Sequence, residues 1–283
     1  MDVGGKSIPK VLWNYWVESP GQTREIRDVC RRSWRELGGF DEIVEVRPKD
    51  LHRFLPASDL PVSFAELPPQ KQANAVRVGL LYRYGGVWAD ASVLTTSDVP
   101  GWLQQVASDE GVFFFRDVDR GRLLDNWFLA ASEGSGFMGE WMEAYNRFFS
   151  NKRIHMAHSQ ALHTSELAFH LLARLNNSWV RSSPSRTRWW ARKPLSELPF
   201  YPYFIHHYLA NDLLTREPHA RVLRTMRYAP AADALALRSA INRGASVEYQ
   251  QMVQANARSR IQKLNLHIDY DPSVLVNLEK LVS

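Results

Sequence analysis

Residues 73–94 read ANAVRVGLLYRYGGVWADASVL, and the apolar pattern changes once inside that stretch, which decides the fold. Ala73, Val76, Leu80 and Tyr84 recur at the spacing of a helix that buries one side, while Asn74 and Arg77, three apart, share another. The pair Gly85-Gly86 stops the helix, because glycine takes positive φ at a helix end without a steric penalty. Val87-Trp88-Ala89 then reads as a short buried strand, and Asp90 closes it.

A carboxylate at the carboxyl end of a central strand lies where open α/β sheets bind ligands, although loops also start there. Asn74 and Arg77 on the preceding helix can face the same crevice. The unit would then offer an amide, a cation and an anion, a set that suits a nucleotide diphosphate and a metal. The same spacing equally suits an ordinary ion pair between Arg77 and Asp90.

The surrounding chain is that of a folded protein. Its 283 residues are 45% hydrophobic and 12% aromatic, enough for a packed core in one large α/β domain or two small ones. Cys30 is the one cysteine, which excludes an intramolecular disulfide and a CxxC-type zinc site; it falls on the apolar side of a predicted helix. The opening MDVGGKSIPK lacks the pattern of a signal peptide, and no apolar run is long enough to cross a bilayer. These features predict a cytoplasmic protein, with a peripheral place on the inner face of the membrane also open to it. A net charge of +5 favours acidic partners without choosing among nucleotide phosphates, anionic lipids, an acidic glycan and nucleic acid.

Val11-Leu12-Trp13 is the first predicted strand, followed by a helix from Thr23 to Leu37 with Ile26, Val29, Cys30, Trp34 and Leu37 as its apolar stripe. Ile43 to Val46 is a second strand and Lys49 to Leu55 a short helix; the proline-marked loop from Ala57 to Pro69 leads into the organising helix. Beyond Leu94, capping side chains predict a helix through Trp102 and Val106, then strands at Val112 to Phe115 and Asn126 to Ala131. Asp117, Asp119 and Asp125 flank a turn and read mainly as solvated. Phe137 to Phe149 follow helical spacing and read as core. His155, His158, His163 and His170 lack the HExxH arrangement, which argues against zinc.

Arg181 to Lys193, RSSPSRTRWWARK, is the most basic stretch. Its Trp189-Trp190 pair suits a lid, an acceptor strip or a peripheral membrane contact, and equally a loop whose tryptophans fold back onto the core. Nucleic-acid binding would rest on this charge alone, and the sequence argues against that partner. Helices are predicted at Asp233 to Ile241, Val247 to Leu264 and Ser273 to Val282. Strands alternating with helices, then a largely helical half, predict a Rossmann-like mixed sheet with additional C-terminal helices. The whole, 1–283, reads as a single domain with an α/β half, 1–132, and a mostly helical half, 133–283.

Arg77-x-x-x-Leu81-x-x-Tyr84-Gly85-Gly86-x-x-x-Asp90-Ala91-Ser92 resembles the signature of the capsular polysaccharide synthesis proteins, which are similar to sugar-transferring enzymes with a DXD motif, among them initiating mannosyltransferases and clostridial glucosylating toxins. Ile8-Pro9-Lys10-Val11-Leu12-Trp13 resembles the opening of the same family, in which the tryptophan lies against the nucleotide base. Weaker likeness runs through Asn126-Trp127-Phe128, Tyr203 to Tyr208 and Gln262-Lys263-Leu264. The resemblance implies a GT-A glycosyltransferase fold and transfer of a sugar, with retention of configuration, from a nucleotide-sugar, a UDP-sugar first, to a surface polysaccharide or its lipid-linked precursor. It implies Asp90 as metal ligand, Ser92 as a weaker one, Mn2+ or Mg2+ as cofactor, and donor contacts from Trp13, Asn74, Arg77, Gly86 and Asn126. It also implies that 1–132 is the nucleotide-sugar-binding half and 133–283 the acceptor-side half, from which His207 would approach.

Two departures from the pattern bear on that implication. Ala73-Asn74 stands where related enzymes have Ser-Asp, and Ser92 stands where a full DXD ends in a second Asp, so both changes remove charge. The alternative they leave open is a catalytically weak relative that serves as a scaffold in a polysaccharide assembly complex. A phosphatase opening at Asp90-Ala91-Ser92 lacks the second Asp that would act as acid and base.

Overall fold

The computed structural model describes residues 6–18, 24–116, 122–155, 174–176, 179–193, 195–242 and 248–283. Asp117, Asp119, His158, His163 and His170 lie outside the described residues. Five strands form the central sheet: β1 (Val11–Tyr15), β2 (Glu42–Val46), β3 (Gly86–Ala89), β5 (Val112–Phe114) and β6 (Phe128–Ala131), in the order β2-β1-β3-β6-β5. β1 runs parallel to β2 and β3, whereas β6 is antiparallel to both β3 and β5. This is the mixed, Rossmann-like α/β sheet expected from the alternation of strands and helices.

The mid-sheet position of β3 explains its composition. Gly86, Val87, Trp88 and Ala89 are all buried, and a strand covered on both faces has no polar side to show. The helices α1 (Arg24–Glu36) and α2 (Pro69–Tyr84) follow β1 and precede β3. The sequence predicts α2 to bury one side, and the structure buries more than that, enclosing its middle from Asn74 to Leu81. It packs on β1 and β3 and also against α4 (Gly136–Phe148), with Ala75, Val76, Val78, Gly79, Leu80 and Leu81 all enclosed. The enclosed part of α2 also carries Lys71, Asn74 and Arg77, while Tyr82 and Arg83 stay exposed.

The glycine pair after α2 does what its residue type allows. Gly85 has φ +63° and Gly86 φ +91°, and a Cβ on Gly86 would stand 2.5 Å from Val11 Cγ1. The chain therefore turns from α2 directly into β3, flush against β1.

Beyond β3, β4 (Val93–Thr95) leaves the central sheet, and α3 (Val99–Val106) starts at an Asp98 cap. The second half adds α5 (Pro184–Thr187), α6 (Ile205–Leu214), α7 (Ala220–Thr225), α8 (Ala231–Ala234), α9 (Ala236–Ile241), α10 (Tyr249–Asn256) and α11 (Pro272–Val282), with a two-residue parallel pair β7 (Ile154–His155) and β8 (Phe200–Tyr201). One expectation fails there. The helix predicted from Val247 to Leu264 ends at Asn256, and Ile261–Lys263 form β9, paired antiparallel with β4 in the register Val93 to Lys263. Gln262 is the reason that pairing is secured. Its buried side chain accepts from the Leu237 N–H at 3.0 Å and donates to the Asp233 and Ala255 carbonyls, so its polar atoms are satisfied in the extended conformation beside β4.

No helix among the described residues is long and apolar enough to cross a membrane.

Candidate functional site

Because β1 and β3 are parallel, their carboxyl ends open on the same edge of the sheet, and a cleft of about 460 Å³ lies there. Tyr15 and Trp16 reach it from β1, Asp90, Ala91 and Ser92 from β3, and Lys71, Asn74 and Arg77 from α2. Asn126 and Trp127 enter from the start of β6, Tyr203 and His207 from the segment around α6, and Lys263 from β9.

Backbone bonds fix Asp90. Its N–H donates to the Trp127 carbonyl and its carbonyl accepts from the Val93 N–H, each at 2.9 Å, so it sits in a tight turn off β3. Asn14 donates from Nδ2 to the Ala89 carbonyl at 2.7 Å and braces the same turn from β1. The carboxylate accepts at Oδ1 from Arg77 Nη2 and Trp88 Nε1, both at 2.9 Å, and at Oδ2 from Lys263 Nζ at 3.1 Å. Burial alone would raise its pKa; the Lys263 ammonium and the Arg77 guanidinium, with the hydrogen bonds from Trp88 and Lys263, hold it below the usual carboxylate range.

Arg77 is buried, its guanidinium 4.8 Å over the Trp88 ring, and it donates from Nη1 to Asn74 Oδ1 at 2.8 Å. The same Asn74 oxygen accepts from Asn126 Nδ2 at 3.2 Å, and Asn126 also meets His206 Nδ1 at 3.1 Å. Asp90, Arg77, Asn74 and Asn126, all singled out from the sequence, therefore form one continuous network. The ordinary ion pair and the shared crevice coexist here. His207 lines the cleft as expected, while His206 lies behind it against Trp141 at 4.2 Å. Burial, with the nearby cations, holds both imidazoles well below 6.5, so both are neutral at pH 7.

Trp13 is placed elsewhere. Its indole packs on Tyr84 at 5.3 Å and Phe54 at 5.9 Å and donates to the Gly85 carbonyl at 2.9 Å, at the amino end of β3 and away from Asp90. It is a core residue, and Tyr15 and Trp16 hold the cleft positions instead. Gly86 likewise lies under Val11 and Trp13, outside the cleft lining. In the basic stretch, Trp190 is fully buried and donates to Asn176 Oδ1 at 2.9 Å, while Arg188 and Arg192 approach the Asp212 carboxylate. Only Trp189, 46% exposed, keeps the surface position a lid or a membrane contact would need, and neither tryptophan lines the cleft.

The sequence reading missed Lys71, whose amine is enclosed by Tyr201 and Tyr203 and donates to the Tyr203 carbonyl. Lys263 lies in the weaker likeness at Gln262-Lys263-Leu264, but no role is legible for it there, because a strand of three residues carries no period of its own. Arg77, Arg122, Arg238 and Lys263, with Lys71, whose amine is pulled down to about 7 by burial, line the cleft against the carboxylates of Asp90 and Asp125, so its field favours an anion.

The residues do not fit a divalent metal. Such an ion takes hard oxygen ligands, carboxylates above all, and a fixed cation within a few ångströms repels it. Lys263 Nζ stands 2.6 Å from Ser92 Oγ and 3.1 Å from Asp90 Oδ2, on the point where both side chains of the reduced motif converge. At about 4 Å and an effective dielectric constant of about 20, each unit-charge pair is worth about 4 kcal/mol. A divalent ion beside Lys263 and Arg77 would meet that repulsion twice over from each, against one carboxylate whose side chain is 30% exposed. No group of three His, Cys, Asp or Glu residues able to hold a metal occurs among the described residues.

Residues 5–200 match the family model described as capsular polysaccharide synthesis protein. The chain belongs to that family. The match takes in the whole central sheet, α2 and the Asp90 turn, and stops before Tyr203, His207 and Lys263, so this member of the capsular polysaccharide synthesis family completes its cleft with residues beyond the family segment. Among solved structures, a chain named PaToxG glycosyltransferase is similar at 9% identity over 61% of this chain and 71% of its own, with a TM-score of 0.39. No curated protein matches the sequence.

Proposed function

We propose that this chain is a glycosyltransferase of GT-A type that moves a sugar from a nucleotide-sugar, a UDP-sugar first, to a capsular polysaccharide or its lipid-linked precursor, with retention of configuration. The observation that carries the reading is the cation-rich cleft at the carboxyl ends of β1 and β3, built around the Asp90–Arg77–Asn74–Asn126 network in a member of a capsule-synthesis family. A nucleoside diphosphate leaves as an anion, and preorganised cations lower the cost of its departure.

In this reading Arg77, held rigid by Asp90 and Asn74, faces the diphosphate or the donor sugar. Asn74 and Asn126 supply amide groups for donor hydroxyls, Tyr15 and Trp16 border the base, and His207 lies on the acceptor side. The bond from the anomeric carbon to the diphosphate breaks as the acceptor oxygen attacks the same face. The acceptor's proton passes to the departing phosphate, so no protein nucleophile is required.

The test combines thermal shift against UDP-, GDP- and CMP-sugars with assays of sugar transfer and donor hydrolysis. One donor class should raise the unfolding temperature by mass action. Asp90→Asn, checked for folding by its own thermal transition, should lower turnover more than about a hundredfold, equivalent to about 3 kcal/mol of transition-state stabilisation, because an amide anchors neither Arg77 nor Lys263 by charge. Near-normal turnover in Asp90→Asn would sink this mechanism. A parent protein that binds a donor and turns over none would leave the scaffold role in its place.

A further inference from the structure

We propose that Lys263 supplies to the donor diphosphate the positive charge that a divalent cation would otherwise bring, so that this chain binds nucleoside diphosphates without a metal. The inference rests on the donor reading above and names the group that meets the phosphates.

Three observations carry it. The first is position, since the ammonium sits on Asp90 Oδ2 and Ser92 Oγ together, at 3.1 and 2.6 Å. An ion using those two side chains would have to evict it. The second is rigidity. Lys263 is the last residue of β9, held opposite Val93, and the next N–H, of Leu264, donates to the Ser92 carbonyl at 2.8 Å. The stem of the lysine is thus pinned at the backbone to the turn that carries Asp90 and Ser92, so no chain movement is needed to bring it there.

The third is spare capacity. A lysine ammonium has three donors, and Asp90 and Ser92 take two; the side chain lines the cleft, where a phosphate oxygen can take the third. Lys263 and Arg77 lie on the two oxygens of one carboxylate, which leaves the trio with one net positive charge facing the cleft. Ser92 also acquires a reason. A second carboxylate at that position would cancel the remaining charge, whereas a hydroxyl positions the ammonium and leaves its charge for the ligand.

The experiment is calorimetric titration of UDP, GDP and CDP into the full chain, in EDTA and again with millimolar manganese. One nucleotide should bind in EDTA with an affinity that manganese changes by no more than about twofold. Lys263→Met, which keeps most of the stem beside β4, should weaken binding in EDTA by about tenfold or more, near 1.4 kcal/mol. Manganese should restore much of that loss, because the variant frees Asp90 and Ser92 for an ion, and Lys263→Arg should retain metal-free binding. Binding seen only with manganese in the parent overturns this inference and leaves the donor reading standing. Equal EDTA affinity in parent and Lys263→Met also overturns it. No binding of any nucleotide under either condition overturns both.

Discussion

At the residue scale, a strand's side chains point alternately to two faces, but where along the strand they sit decides what they touch. Trp13 and Tyr15 share a face of β1, yet Trp13 lies opposite Trp88 and its indole reaches back to Gly85, whereas Tyr15 and then Trp16 stand at the carboxyl edge. Trp16 has the Arg27 guanidinium 4.0 Å over its ring and a buried Nε1 with no partner of its own. The two tryptophans should therefore differ in what truncation costs. Trp13→Ala empties a core site and should cost about 3 to 5 kcal/mol of stability, read from the urea midpoint. Trp16→Ala, at a site that is also buried, should lose some stability and in addition nucleotide affinity, about 1 to 3 kcal/mol if the base stacks there as bases do on aromatic platforms. Full nucleotide affinity in a folded Trp16→Ala protein would remove the indole from the donor site.

At the element scale, the joint between α2 and β3 is the part most strictly specified by residue type. Gly86 combines φ +91° with a Cβ position 2.5 Å from Val11 Cγ1 and 2.6 Å from the Val11 carbonyl oxygen. Gly134, at φ +65°, has nothing within 4 Å of the same position. Gly134→Ala should thus cost only backbone strain, about 1 to 2 kcal/mol, and Gly86→Ala at least about 2 kcal/mol more from the overpacking of β1 against β3. Equal losses in urea unfolding would mean that β1 yields without penalty. This joint was legible in the sequence because its signals are local: a helical period, a glycine pair, an apolar run and a carboxylate follow one another within 22 residues, 73–94. The network of Asn74, Arg77, Asp90 and Asn126 was legible for the same reason, being gathered by one helix and one strand with a single contact from β6. Lys263 was not. Apolar spacing from Val247 onward reads as a continuous helix, whereas Ile261–Lys263 pair in the extended conformation with β4, far away in sequence. Lys71 was hidden differently, since a lysine in the first turn of a helix reads as solvated until the tyrosines of the second half close over it.

At the scale of the whole molecule, Lys71 links the two halves of the chain. Its ammonium donates to the Tyr203 carbonyl, and the Tyr145 hydroxyl of α4 donates to its own carbonyl at 2.9 Å. Burial, with the charge of Arg77 added, pulls the amine down from 10.5 to about 7. An amine whose pKa is lower folded than unfolded gives up its proton on folding. Between about pH 7 and 10.5 the unfolded chain therefore holds the extra proton, and the folded state gains stability as pH rises, by up to about 1.4 kcal/mol per pH unit from this group. Below pH 7 the amine is protonated in both states, so the penalty for burying its charge is present in full. Lys71→Met keeps an unbranched stem against Tyr201 and Tyr203 but has no proton to lose, so its urea midpoint should change less between pH 7 and 9 than that of the parent. An anion in the cleft reverses the effect on the amine, because a nearby negative charge favours the ammonium. Nucleoside diphosphate binding at pH 8 should then take up close to one proton in the parent and fewer in Lys71→Met, measured by titration in buffers of different ionisation enthalpy. Identical pH slopes for the two proteins would show that Lys71 titrates alike in the folded and unfolded chains, and equal proton uptake would place the bound phosphates out of its reach.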